Sequence, residues 1–192
     1  MHALAVSTGV VALAEIGDKT QLLAFVLAAR FRQRWPIIFG ILAATILNHA
    51  LAGALGNGVA ALLSPTALRW ILGLGFLAMA AWIMIPDKID DEDTTLAQRY
   101  GVFGTTFIAF FLAEMGDKTQ IATVALAAHY ASAIAVVTGT TVGMLIANVP
   151  AVILGDKLAG RIPMRLVHGI AAALFAVLGI ATLTGLGASL GF

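Results

Sequence analysis

Six long apolar stretches, each bounded by charged or turn-forming residues, organise this 192-residue chain. They run over 3–29, 36–60, 67–85, 102–128, 133–155 and 166–187. Crossing the hydrocarbon of a bilayer takes about 20 consecutive apolar residues in a helix, so each stretch predicts a transmembrane helix. The interruptions agree with that division. Arg30-Phe31-Arg32-Gln33-Arg34 precedes Pro36, and Ser64-Pro65 and Pro86-Asp87 follow the second and third stretches. A short turn from His129 to Ser132, and Asp156 to Arg165 with Pro163, mark the later breaks. Pro150 is expected to kink the fifth span. The opening Met1-His2-Ala3-Leu4 carries no positive lead and reads as the start of the first span rather than as a signal peptide.

Composition makes the bilayer the required solvent. Sixty per cent of the residues are hydrophobic and 11% are charged, with a mean hydropathy of +0.99. A soluble domain is nearer half apolar and about a quarter charged. The absence of cysteine excludes disulfides, thiolate metal sites and thiol catalysis. His2, His49, His129 and His168 show no zinc-ligand spacing, and a net charge of +1 gives no reason to expect a nucleic-acid partner.

Basic residues set the orientation. Arg30, Arg32, Arg34, Lys88, Arg99, Lys157, Arg161 and Arg165 fall in loops on one side, against Arg69 on the other. This expectation places loops one, three and five in the cytoplasm and both termini outside.

The chain also repeats itself. Leu13-Ala14-Glu15-Ile16-Gly17-Asp18-Lys19-Thr20-Gln21 returns as Leu112-Ala113-Glu114-Met115-Gly116-Asp117-Lys118-Thr119-Gln120, with eight of nine positions identical. Leu27-Ala28-Ala29 returns at the same offset as Leu126-Ala127-Ala128, and Gly40 and Gly56 return as Gly139 and Gly155. Asn48 and Asn148 are one position out of that register. A duplicated unit with an odd number of helices must enter the membrane upside down the second time. The expected fold is an all-α membrane protein of six transmembrane helices in two inverted three-helix repeats. Residues 1–86 form repeat one, 87–100 an acidic cytoplasmic linker and 101–192 repeat two.

The repeated motif lies near the middle of the first and fourth spans. Each ionised residue at the centre of a membrane helix costs about 2.5–3.5 kcal/mol. Six of them (Glu15, Asp18, Lys19, Glu114, Asp117 and Lys118) must therefore pair, take up protons, bind an ion or line a wet cavity. On a continuous helix, Glu15 and Asp18 share a face, and Glu15 and Lys19 stand in the favourable order for an ion pair. Gly17 and Gly116 suit a local break or a close backbone approach. Thr20, Gln21, Thr119 and Gln120 add neutral oxygens. Four carboxylates against two lysines leave two negative charges, which one divalent cation or two protons would cancel. The ligand set is hard oxygen, suited to calcium, manganese or magnesium. Met115 is a soft candidate, but Ile16 occupies its twin position.

At these residues the sequence resembles the small six-helix cation/proton exchangers of the Gdt type. These include the yeast and human Golgi manganese/calcium transporters and bacterial manganese exporters. Their signature, Glu-x-Gly-Asp-Lys/Arg-Ser/Thr, occurs twice, in the first and fourth helices, and both copies here fit it. The resemblance implies export of Mn²⁺ or Ca²⁺ against proton entry, with no cofactor beyond the transported ion. It implies that Glu15, Asp18, Glu114 and Asp117 bind the metal. Lys19, Thr20, Gln21, Lys118, Thr119, Gln120, Asn48 and Asn148 are accessory candidates. The acidic stretch from Asp87 to Asp93 matches the family's cytosolic loop. A short chain without an organelle-targeting extension is expected in a bacterial inner membrane; whether it forms a homo-oligomer is left open.

Other readings stand beside this one. The motifs could be Glu–Lys bridges that pack the halves, which leaves Asp18 and Asp117 unexplained. Asn48 and Asn148 are either interhelical hydrogen-bond ties or accessory ligands. His49 and His129 read as packed or interfacial, Asp87–Asp93 as a solvated linker, and Gly155-Asp156-Lys157 as a helix boundary. An amino-acid exporter of related architecture would need Lys19 and Lys118 to receive the substrate carboxylate. An intramembrane protease would need a shared-proton aspartate dyad, which a Glu and a Lys beside each Asp do not suit. A nontransporting subunit would leave the buried charge without a purpose.

Overall fold

Four of the six apolar runs form one helix each, and the other two are each broken in the middle. In the computed structural model, residues 2–85, 100–130, 132–154 and 164–185 are described. They form α1 (His2–Glu15), α2 (Lys19–Phe31), α3 (Arg34–Leu62), α4 (Pro65–Trp82), α5 (Gly101–Glu114), α6 (Lys118–Tyr130), α7 (Ala133–Leu154) and α8 (Met164–Thr184). No strand occurs among the described residues. The acidic stretch 87–93, Gly155–Lys157 and the basic residues Lys88, Arg99, Lys157 and Arg161 lie outside them.

The helix ends follow local chemistry. Pro65 opens α4 behind Ser64, whose hydroxyl accepts from the Ala67 N–H at 3.3 Å, a serine cap with proline in the first turn. Helix α7 runs on through Pro150. The expected continuous first and fourth spans are interrupted at Gly17 (φ 86°) and Gly116 (φ 74°). Both glycines hold the left-handed conformation that a Cβ disfavours. After each break the backbone bonds back only three residues, Asp18 N–H to the Glu15 carbonyl at 3.0 Å and Asp117 N–H to that of Glu114 at 3.1 Å.

Helices α3, α4 and α7 are each long and apolar enough to cross a membrane. At a rise of 1.5 Å per residue, α1, α2, α5 and α6 each reach only about 20 Å. Large apolar side chains such as Leu47, Leu51, Leu55, Trp70, Ile71 and Leu74 are exposed, as a lipid-facing surface requires and a soluble one would not tolerate.

Packing between helices follows the repeat offset. Helix α1 lies on α7, α5 on α3, and α4 on α8. A Cβ at Gly40 would come within 3.0 Å of the Phe103 carbonyl and 2.7 Å of Thr106 Cβ. One at Gly139 would come within 2.6 Å of the Leu4 carbonyl and 3.0 Å of Ser7 Cβ. Each of these three pairs, Gly40 with Gly139, Leu4 with Phe103 and Ser7 with Thr106, is separated by the offset that separates Glu15 from Glu114. The apolar core divides the same way. Val10, Ala14 and Leu126 belong to one cluster, and their counterparts Ala109, Ala113 and Leu27 to the other. Each cluster leads along α1 or α5 to a buried glutamate at the helix end.

The close approach at Gly56, whose added Cβ would collide with the Val124 carbonyl, makes a paired test. Gly56→Ala is expected to lower stability by about 1–3 kcal/mol through overpacking. Gly58→Ala, with open space around its Cβ, should be neutral or raise stability by about 0.5–1 kcal/mol. Reversible unfolding in detergent micelles measures both; equal effects would contradict the packing.

Candidate functional site

The two breaks bring the ends of four half-helices to one place. Gln21 accepts from the Gly17 N–H at 2.9 Å and Gln120 from the Gly116 N–H at 2.7 Å. Each glutamine thus satisfies an amide that its broken helix leaves bare. Their amide nitrogens tie the motifs to the opposite half. Gln21 donates to the Ala147 carbonyl at 3.0 Å, and Gln120 to Asn48 Oδ1 at 3.4 Å.

Glu15 and Glu114 end α1 and α5, and both are fully buried; Asp18 and Asp117 are 5% and 6% exposed. Thr20 donates to Glu15 Oε2 at 2.6 Å, and Thr119 to Glu114 Oε2 at 3.0 Å. The Oε1 atoms of both glutamates are buried and, among the described residues, have no hydrogen-bond donor. One carboxylate oxygen each from Glu15, Glu114 and Asp117 lies within 4.8 Å of the others. Three carboxylates this close in a dry interior cannot all stay charged without a counter-charge.

The lysines reach beyond their own motifs. Because α1 stops at Glu15 and α2 starts at Lys19, the expected shared face of Glu15 and Asp18 and the one-turn spacing of Glu15 and Lys19 do not hold. Lys19 instead reaches across to Asp117, Nζ to Oδ1 3.6 Å. Lys118, buried at 5% exposure, donates to the Ile85 carbonyl at 2.7 Å. Asn48 acts as a tie, donating to the Phe111 carbonyl at 3.1 Å while accepting from Gln120. Asn148 donates to the Met144 carbonyl at 3.1 Å, and its Oδ1 is buried without a donor among the described residues. Met115 is 53% exposed, its sulfur turned to Gln120 Nε2 at 3.9 Å.

Sequence reasoning underrated one feature and anticipated another. The glutamines appeared only as neutral oxygens, although a glutamine four residues after a motif glycine in both copies was the available signal. His49 read as packed; it is fully buried, and neither ring nitrogen has a hydrogen-bond partner among the described residues. Its counterpart at the repeat offset is Asn148, a register obscured by the polar Asn48 beside it.

Comparison with known proteins extends this geometry. Residues 3–91 and 102–188 match the family described as divalent cation/proton antiporter GDT1, and each matched segment carries one motif copy. A protein of Vibrio cholerae serotype O1 named "Putative manganese exporter" is 53% identical over 183 residues, covering 95% of this chain and 90% of that protein. GDT1-like protein 3 of Oryza sativa subsp. indica is 34% identical, covering 90% of this chain and 70% of its own length. A GDT1-like protein of Synechocystis is 32% identical, covering 87% of this chain and 91% of its own length. No solved structure matches the chain.

The two glutamine caps differ in burial, Gln21 at 4% exposure and Gln120 partly exposed. Gln21→Leu strands a buried amide and the Ala147 carbonyl, so it should cost about 1–3 kcal/mol of stability. Gln120→Leu, nearer to solvent, should cost less. Unfolding of both variants in micelles checks the order; a larger loss for Gln120→Leu would overturn it.

Proposed function

The chain belongs to the divalent cation/proton antiporter GDT1 family, and from that premise we propose that it exports a divalent cation, Mn²⁺ first and Ca²⁺ second, from the cytoplasm in exchange for protons. It is a transporter and not an enzyme. One observation carries the reading: Glu15, Glu114 and Asp117, drawn from two motif copies, converge in one buried cluster.

The cluster's size supports a single ion. Oxygens on opposite sides of one cation stand twice the metal–oxygen distance apart, about 4.6–5.2 Å for calcium. Three oxygens within 4.8 Å of one another fit inside that limit. Glu15, Asp18, Glu114 and Asp117 are the proposed ligands. Thr20 and Thr119 hold the glutamates in place, Gln21 and Gln120 hold the breaks open, and Asn148 Oδ1 is an accessory oxygen. With Lys19 and Lys118 charged, the motifs carry two net negative charges. One divalent cation or two protons neutralise the site, and a site holding neither is costly, which is the requirement of an exchanger. The manganese exporter named above supports Mn²⁺. Lys19 faces Asp117 and Lys118 is held by a carbonyl, so the amino-acid alternative lacks a ready cationic partner for a substrate carboxylate.

The proposed architecture follows. Helices α1 and α2 together make one span and α5 and α6 another, which with α3, α4, α7 and α8 gives six. The offset-matched packing of Gly40 and Gly139 and the two-segment family match support two inverted repeats, 1–86 and 101–192. Broken helices with a midplane site at the repeat interface are a transporter design. The proposed home is a bacterial inner membrane, with both termini outside and the central loop cytoplasmic.

In proteoliposomes, external Mn²⁺ is expected to enter and drive protons out, raising the lumenal pH. Ca²⁺ and Mg²⁺, compared side by side, rank the preference. Glu15→Gln and Asp117→Asn should each lower metal flux by at least about a hundredfold, equivalent to about 2.7 kcal/mol, while the purified variants keep their helical circular dichroism. Metal flux without a pH change would point to a uniporter, and full flux in both variants would remove them as ligands.

A further inference from the structure

We infer that the turn between α2 and α3 carries a binding site for the headgroup of an anionic phospholipid, a reading that rests on the membrane placement proposed above. Helix α2 closes on Arg32, whose φ of 55° is the one left-handed value among the described non-glycine residues. The Arg32 N–H bonds back to the Ala28 carbonyl at 3.0 Å, and α3 opens two residues later with Arg34. This tight turn sets both arginines on one cavity of about 360 Å³, walled by Phe25 of α2 and by Val152, Ile153 and Leu154 at the end of α7.

The cavity joins two chemistries. Its rim offers two guanidinium groups, the side chain best shaped for bidentate contact with phosphate. Among the described residues, neither Arg32 nor Arg34 forms an ion pair; Arg30, outside the cavity, lies over the Phe31 ring at 5.6 Å. Its wall is apolar and includes the exposed side chains of Ile153 and Leu154. Trp35 and Phe39, both exposed and stacked at 6.1 Å, mark the headgroup depth, where membrane proteins gather aromatic rings. A free phosphate would engage the arginines and leave the wall bare. A phospholipid uses both, with its phosphate at the rim and its acyl chain along the wall.

Native mass spectrometry of the full-length protein, with phosphatidylglycerol and phosphatidylcholine of identical chains, tests the site. The wild type should retain one phosphatidylglycerol with a preference of about thirtyfold over phosphatidylcholine, about a factor of five from each arginine near the surface. The double variant R32Q/R34Q should lose that preference and R30Q should keep it, and excess glycerol phosphate should not displace the lipid. Equal retention of the two lipids by the wild type would overturn the proposal. So would an equal loss in R30Q, which would indicate a general field of positive charge. Displacement by glycerol phosphate would assign the cavity to a soluble anion instead. Lipid retention is read whether or not the protein transports metal, so failure of the transport reading does not decide this test.

Discussion

The structure is governed by the electrostatic cost of placing carboxylates in a dry interior. Water would solvate Glu15, Glu114 and Asp117 at little cost; inside the bundle their mutual repulsion has no such outlet. The groups around the cluster lower that cost or hold the carboxylates together. The threonine hydroxyls each bind one glutamate oxygen, Lys19 supplies a positive charge from the opposite motif, and the breaks at Gly17 and Gly116 place helix ends there. The same constraint explains why irregular backbone is tolerated. A bare amide facing lipid would be prohibitive, whereas one capped by Gln21 or Gln120 is satisfied.

The two motif copies share their local bonds and differ in their distant ones. Thr-to-Glu and Gly-to-Gln contacts recur in both. Beyond them, Gln21 reaches the Ala147 backbone while Gln120 reaches the Asn48 side chain. Local identity comes from local sequence. The differences arise because Ala147 stands where the first half has Asn48, so one half offers a side-chain amide and the other only backbone.

Much of this was legible before any coordinates. Apolar run length located the outer ends of the helical stretches to within a few residues, but not the breaks inside the first and fourth. The motif residues stood out because charge in such a run is costly unless it is paired, protonated or ion-bound. Less legible was the geometry at the break itself. Apolar residues flank Leu13–Gln21 on both sides, so a continuous helix was the natural basis for pairing Glu15 with Lys19; the chain breaks at Gly17, with φ 86°, and that lysine reaches Asp117. Asn48 could be read as an interhelical tie, but its partner, the Phe111 carbonyl, could not, since residue type fixes donors and acceptors but not the carbonyl they meet.

The central claim is that one divalent ion displaces protons from a single site built by both motifs. Calorimetric titration of the purified protein with Mn²⁺, repeated in buffers of different ionisation enthalpy, counts the protons released per ion bound. The account predicts one site and release of about two protons where the empty site holds the two that neutralise it, because the carboxylates must give up protons to take the metal. Binding with no proton release at any pH, or two independent sites, would contradict it.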